Sequence, residues 1–364
     1  MEYSDSASML SDEHSEFSKF DSKRSIDALS VNSLGETNLK PKFILDDSMT
    51  EIMTVKFDPT GDFLACGTRD SAINIYSMET GEIYKQIEKI DPREYEIRDT
   101  GYTDVHYPVT SMRWIPEQVT QSGHDDLVAA YANSSVKFWD VKGERKEFEI
   151  NERENLGIYS LDFSRIGDKI ATGGADRTVR IYSDSMKKLM HELATPLDQN
   201  KIHHFNRIHC VKFHPENDNI IYSGGVDNMV TIHDTRQQDP VDAILGPHIL
   251  GETIDVSGNH LLTGSYRCKD CIEIWDLRTL NKITSHHWED SNPNQGGEVI
   301  GAMFSKQRAG AIIAACRISN EVKIFDQNCT DGLVTANGFN SMIYSLDQSE
   351  DGGQLAVGTK DGLV

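Results

Sequence analysis

The sequence predicts an all-β chain folded as a seven-bladed β-propeller, and two observations lead to this fold class. First, short stretches of alternating apolar and polar residues, rich in β-branched side chains, are separated by Gly and Asp. This pattern is typical of short antiparallel strands joined by tight turns. Second, the pattern recurs seven times along the chain. A repeat of roughly 40–45 residues with four strands is the sequence signature of a propeller blade.

The repeat is clearest in residues 161–182, which read LDFSRIGDKIATGGADRTVRIY. This stretch holds three strand candidates divided by turns at 166–168 and 173–176. Its anchor is Phe163, and equivalent positions lie roughly 50 residues apart. The seven anchors are Phe57, Trp114, Phe163, Phe213, Val256, Phe304 and Gln348.

Each of the first six repeats ends in an alternating strand, and two of these strands end in the dipeptides Trp139-Asp140 and Trp275-Asp276. In these features the chain resembles the WD-repeat (WD40) β-propeller family from about residue 41 to the end. The resemblance implies that residues 42–46 supply the outer strand of the last blade and so close the ring. Because Val364 stands where the third strand of blade seven begins, either that blade is short or the sequence is truncated.

The resemblance also identifies a set of structural residues. In many WD repeats a turn aspartate joins a hydrogen-bonded set with a His, a Ser or Thr and the Trp, since buried polar groups need partners. Repeat four carries the fullest version of this set. The residues interpreted as structural, and not as catalytic acids, are Asp70, Asp176, Asp227, His204, Ser223, Trp139 and Trp275.

The strongly acidic composition limits the classes of partner that the protein can be expected to bind. The formal net charge is −22, which disfavours nucleic acid and anionic membranes and favours basic or multi-subunit protein partners. No apolar run approaches the roughly 20 residues that span a bilayer. Four of the six cysteines lie singly along the chain, as expected in a reducing compartment. We therefore expect a cytoplasmic protein, with nuclear or cytoskeletal association left open.

Residues 1–40 differ from the rest of the chain. They contain ten serines, eight acidic residues and four basic residues. Because they have little apolar surface to offset ordering entropy, we expect a disordered tail before a propeller at 41–364. Two interpretations remain open: a solvated tail, or a docking segment with a phosphorylation site at Ser25.

The sequence gives no argument for catalysis. It has no phosphate-binding loop of the Walker type and no Gly-x-Ser-x-Gly motif. Cys268 and Cys271 form a CxxC pair, but no second pair completes four zinc ligands. We therefore expect no enzyme activity, no cofactor, no metal and no small-molecule substrate.

The function predicted from these features is a protein–protein interaction scaffold that helps to assemble a multiprotein complex. The motif WDxR at residues 275–278, with a variant at 233–236, resembles the box of substrate receptors in cullin-type ubiquitin ligases, which is one alternative. A structural component of a cytoskeletal or ciliary assembly is the other. The family resemblance places some candidates around the central channel, while others lie in the insertion at 88–107. The candidate partner-binding residues are Arg69, Lys360, Tyr344, Tyr159, Arg236, Arg278, Tyr95 and Tyr102.

Overall fold

The computed structural model describes most of the chain from residue 41 onward. The described residues are 30–33, 41–46, 48, 50–88, 106–116, 126–152, 156–183, 185, 187–193, 202–267, 269–288, 297–326 and 332–364. They form strands and turns, and contain no helix long and apolar enough to cross a membrane. The expected tail at 1–40 lies outside the described residues, except for 30–33.

Six antiparallel sheets of the meander type form the blades. Blade one contains β2 (Ile52–Phe57), β3 (Phe63–Thr68), β4 (Ile73–Ser77) and β5 (Ile83–Ile87). Blade two contains β6 (Val109–Trp114), β7 (Asp126–Tyr131), β8 (Ser135–Asp140) and β9 (Arg145–Asn151). Blade three contains β10 (Ile158–Phe163), β11 (Lys169–Gly174), β12 (Val179–Ser183) and β13 (Lys188–Leu193).

The other three blades follow the same order. Blade four contains β14 (Ile208–His214), β15 (Asn217–Gly225), β16 (Met229–Asp234) and β17 (Asp242–Leu245). Blade five contains β18 (Ile254–Ser257), β19 (His260–Gly264), β20 (Ile272–Asp276) and β21 (Asn281–His286). Blade six contains β22 (Val299–Phe304), β23 (Ala311–Cys316), β24 (Glu321–Asp326) and β25 (Gly332–Asn337).

The prediction of seven blades closed by an N-terminal strand in the last blade is wrong. The structure has six blades, and the seventh repeat forms only a hairpin of β26 (Ile343–Gln348) and β27 (Leu355–Thr359). The N-terminal strand β1 (Ser30–Ser33) pairs with β25 of blade six instead. Residues 41–46 are not a strand, although Leu45 and Val364 exchange two backbone hydrogen bonds. The repeat pattern predicted the seven inner strands correctly. It carries no information on which neighbouring strands form backbone hydrogen bonds with one another.

The hairpin lies between blade six and blade one and completes the ring. Asp347 of β26 accepts a hydrogen bond from the Phe57 backbone N at 2.8 Å. On the other side, the Lys306 backbone N donates to Gln348 Oε1 at 2.8 Å. The ring is therefore continuous around a central channel lined by the inner strands.

Adjacent blades pack through apolar side chains and small residues. Between blades three and four, Ala171, Ile181 and Val211 are fully buried in one cluster. Gly173 permits this contact, because a Cβ there would lie 2.5 Å from Val211 Cγ2 and 2.8 Å from Ile208 Cγ2. The small-residue character of the second strands is thus required by the close approach of the next blade.

We predict that Gly173→Ala destabilises the protein by about 1–3 kcal/mol, because the added methyl group overpacks a core with little room to relax. Urea unfolding monitored by intrinsic fluorescence would measure the change. Gly353→Ala is the matched control, since its Cβ would meet only the end of the Asp351 side chain. Equal stability of the two variants would contradict the packing argument.

Candidate functional site: the channel mouth

One face of the disc is defined by a contact that recurs from unit to unit. The turn between the second and third strands donates a backbone hydrogen bond to the residue ahead of the inner strand. Examples are Arg69 N to Glu51 O at 3.0 Å and Lys360 N to Met342 O at 2.8 Å. We call this side the mouth face; the opposite face carries the turns that join the third strand of each blade to the fourth.

A cavity of about 190 Å³ opens at the centre of the mouth face, and we call it the mouth cavity. Its walls come from inner strands of several blades. Tyr159 and His209 stack in parallel, with ring centroids 4.9 Å apart and an interplanar angle of 3°. The other apolar or aromatic lining residues are Met53, Leu250, Ile300, Tyr344 and Leu346.

The cavity also contains polar atoms that can still form hydrogen bonds. Thr54 Oγ1 and Ser345 Oγ are buried and have no hydrogen-bond partner among the described residues. Burial, together with the nearby charge of Arg207, lowers the pKa of His209 to about 4, so its ring is neutral at neutral pH. A ligand in this cavity would therefore meet aromatic surface and neutral hydrogen-bonding groups.

Glu252 forms the floor of the mouth cavity and extends from blade five across the channel. Its Oε2 lies 2.7 Å from Lys56 Nζ of blade one, and its Oε1 lies 2.9 Å from Arg113 Nη1 of blade two. Ser111 Oγ also donates to Oε1 at 3.1 Å. Because blade five stands opposite blades one and two in the ring, this carboxylate bridges the channel from side to side.

The charges around Glu252 come from one position of the inner strand, the residue before the anchor. Arg113 also bonds Asp162 at 3.0 Å, Lys56 lies 3.3 Å from Asp347, and Lys212 lies 3.4 Å from Asp255. We call Glu252 and these six side chains the channel ion cluster. Burial opposes ionisation of Glu252, but Arg113 and Lys56 outweigh it and lower its pKa, so the carboxylate stays charged.

The predicted mouth-face residues fall into two groups. Tyr159 and Tyr344 line the mouth cavity and are only half-buried. Arg69 and Lys360 lie in turns of the mouth face; the side chain of Arg69 is 63% exposed and pairs with Glu51 at 2.7 Å. The structure therefore brings the two tyrosines together in one cavity and leaves the two cations outside it.

The two WDxR arginines lie on the opposite face. Arg236 pairs with Asp234 through Nη2 at 2.6 Å, and Arg278 pairs with Asp276 at 3.2 Å. Their side chains are 69% and 71% exposed. Each arginine thus holds the aspartate two positions earlier in its own turn. The predicted candidates Tyr95 and Tyr102 lie outside the described residues.

The polar set of blade four forms a continuous hydrogen-bonded chain. His204 contacts Asp227 through Nδ1 at 2.8 Å and Ser223 through Nε2 at 2.8 Å. Ser223 then contacts His233 Nε2 at 2.7 Å. In blade five, Trp275 Nε1 donates to Thr263 at 3.0 Å. These contacts are local and link strands within one blade.

The other residues interpreted as structural have more varied surroundings. Asp70 accepts a hydrogen bond from Thr68 Oγ1, while Trp139 is buried and its Nε1 has no partner among the described side chains and backbone. The described residues include no group of three or more His, Cys, Asp or Glu side chains that could hold a metal ion.

Blade three replaces this neutral set with an ionic one that the sequence reasoning missed. Arg180, whose side chain is 6% exposed, bonds Glu152 at 2.6 Å, Glu192 at 3.0 Å and also Asp176. Tyr182 donates to Glu152 at 3.0 Å. Burial raises the pKa of Glu152 in spite of Arg180. One feature of the sequence could have revealed this ionic set: Arg180 stands at a position of the third strand that is expected to be buried, four residues after the turn aspartate Asp176.

Together these features define a β-propeller with a candidate binding cavity over a channel closed by an ion cluster. Comparison with known proteins gives the family. A model described as the anaphase-promoting complex subunit 4 WD40 domain matches residues 42–117. A model of the WD domain, G-beta repeat, matches residues 149–183 and 197–234. These matches support the WD40 β-propeller family for the chain.

Relatives of the chain include other proteins of this kind. It is 29% identical over 185 residues to an uncharacterized WD repeat-containing protein of Saccharomyces cerevisiae, covering 50% of this chain and 41% of the relative. It is 25% identical over 146 residues to a subunit of chromatin assembly factor 1 of Mus musculus, covering 40% and 25%. The beta subunit of a guanine nucleotide-binding protein of Nicotiana tabacum is 23% identical over 257 residues, covering 67% and 62%. The matches thus span less than two thirds of these relatives' length.

We predict that Arg180→Met destabilises the protein by roughly 3–5 kcal/mol, because it leaves the buried Glu152 and Asp176 without their cation. Arg278→Met is the control, since that pair is largely exposed and its loss should have a far smaller effect. Thermal and urea unfolding would measure both. If Arg180→Lys, which keeps the charge, is as unstable as Arg180→Met, geometry and not charge is decisive.

We predict that stability falls as the pH is lowered below about 6.5. Burial, with a contribution from His204, lowers the pKa of His233 to about 3. Between these values the unfolded state binds a proton that the folded state does not, at a cost of about 1.4 kcal/mol per pH unit. His233→Gln should reduce this slope in urea titrations at pH 4–8, whereas Leu245→Ala, at a 75% exposed position without a titrating group, should not. An unchanged slope in His233→Gln would be the contrary result.

Proposed function

We propose that the protein is a non-enzymatic protein-interaction scaffold that binds its partners at the mouth cavity and the surrounding mouth face. The observation that carries this proposal is the cavity, which joins half-buried aromatic side chains to buried hydroxyls still able to bond. Aromatic anchors with an apolar body and a polar tip are enriched in protein interfaces. Tyr159 and Tyr344 are the side chains that we expect to contribute most.

The size of the cavity supports a protein or peptide partner over a small-molecule substrate. Its volume of about 190 Å³ is below the roughly 300–1,000 Å³ of pockets that enclose drug-sized ligands. One side chain of a partner fits such a space, while the flat surface around it offers further contacts. Affinity would then depend on a few anchors, as is usual in protein interfaces.

The ring supports display of several contacts at fixed geometry. The blades are joined by backbone-to-carboxylate bonds such as Phe213 N to Asp162 and Phe304 N to Asp255, both at 2.8 Å. Outside the cationic turns of the mouth face, the net charge of −22 would attract basic proteins over long range, which would suit a multi-subunit assembly. Buried thiols at Cys66, Cys210 and Cys316 suit the reducing cytoplasm that we propose as the location.

The ubiquitin-ligase alternative rests on Arg236 and Arg278. Their exposure makes both accessible to an adaptor, but their pairing within the turn is also a sufficient structural role. Recovery of a cullin adaptor that is lost in Arg236→Ala/Arg278→Ala would favour this alternative. The cytoskeletal or ciliary alternative depends on segments that lie largely outside the described residues.

We predict that Tyr159→Ala/Tyr344→Ala lowers recovery of stoichiometric partners at least tenfold, because loss of two interface anchors usually costs more than 1 kcal/mol each. Quantitative mass spectrometry after affinity purification from native cells would measure recovery. Leu245→Ala is the control, since Leu245 is 75% exposed on the outer strand of blade four. If a folded double variant retains all partners, the mouth cavity is not the binding site.

A further inference from the structure

The pairing of the N-terminal strand determines on which face that strand begins. β1 pairs antiparallel with β25, with Ser30 opposite Asn337 and Ser33 opposite Val334. Asn337 is the end of β25 from which the chain continues to β26, and β26 begins at the mouth face. Ser30 therefore lies at the mouth-face end of blade six, on the same side as the mouth cavity.

The mouth cavity is well within reach of the segment that precedes β1, residues 1–29. The cavity includes Ile300 of β22, the inner strand of blade six. Four strand spacings separate β1 from β22, which is roughly 19 Å at about 4.8 Å per spacing. About six extended residues cover that distance, whereas 29 residues precede Ser30.

The charges of the segment and of the mouth face are complementary. Residues 1–29 contain seven acidic and three basic residues. The turns and strand starts of the described mouth face carry five exposed cations, although the chain as a whole is strongly acidic. These cations are Arg69, Arg177, Arg207, Lys269 and Lys360. On the same described elements the exposed carboxylates are Asp361 and, with a side chain that is 40% exposed, Asp270. The half-buried carboxylates of these turns and strand starts include Glu51 and Glu298, which pair with arginines, and also Asp70, Asp176 and Asp227.

We propose that residues 1–29 of the chain dock in cis on the mouth face, with the aromatic ring of Phe17 or Phe20 over the mouth cavity. The segment thereby covers the surface that partners are proposed to use. Its attachment at Ser30 gives an effective concentration of roughly millimolar, so even a weak contact keeps the site largely occupied. The docking itself does not rest on the proposed function; its role as a competitor of partners does.

The test uses the full chain with a photo-crosslinking phenylalanine analogue at position 17 or 20. After irradiation, mass spectrometry should find intramolecular crosslinks to mouth-face residues such as Met53, Met342 or Tyr344. An analogue at position 84, on the outer strand of blade one, is the control and should give none of these. A mixture of isotopically labelled and unlabelled chains separates crosslinks within one chain from crosslinks between copies.

Charge variants sharpen the test. Arg69→Ser/Lys360→Ser should lower the crosslink yield at least threefold, and 0.5 M salt should do the same, because exposed charges are screened. Arg236→Ser/Arg278→Ser removes equal charge from the opposite face and should change nothing. Crosslinks to the opposite face, crosslinks only between copies, or none at all would overturn the proposal. Since no partner is needed, these results do not depend on the test of the proposed function.

Discussion

The structure depends on one half-buried carboxylate, Glu252, which bridges the channel between Lys56 and Arg113. A propeller places the inner strands of all its blades around one axis, so their side chains either fill the channel or leave a hole. Here the residue before the anchor supplies a charge in every repeat except the sixth, which has Met303, and Glu252 joins cations that belong to different blades. Such a cluster is stable only when every charge has a partner, because burial of an unpaired ion is costly.

This closed channel has a direct consequence for binding. Because Glu252 lines the mouth cavity and pairs with cations of two blades, the cavity has a charged floor. Most of its lining residues belong to inner strands, and Leu250, Gly251 and Glu252 come from the connection just before β18. Anchors such as Tyr159 and Tyr344 are therefore presented in a fixed arrangement, which reduces the entropy that a partner must overcome on binding. Strand β1 begins on this same face, so binding and its proposed control would share one surface.

Alternation and spacing in the sequence predicted the features that depend on local structure. The anchors, the small residues of the second strands and the family were recognised from alternation and spacing alone. The same patterns did not predict contacts between residues that are far apart along the chain. Asp176 was recognised, but the ionic set around Arg180 was not, because Glu152 comes from a different blade connection. The seventh repeat has an inner strand, β26, like the other repeats. This strand pairs only with β27, so the repeat forms a hairpin and not a four-stranded blade.

The sequence by itself therefore determined the all-β repeat architecture and the family, since both follow from side-chain periodicity and turn residues within each repeat. Only the tertiary structure decided the number of blades, the partner of the N-terminal strand and the residues of the mouth cavity. The physical reason is that closure of the ring brings together side chains that are far apart along the chain. Lys56 and Asp347, which lie 291 positions apart and 3.3 Å from each other, are one example that no local pattern can reveal.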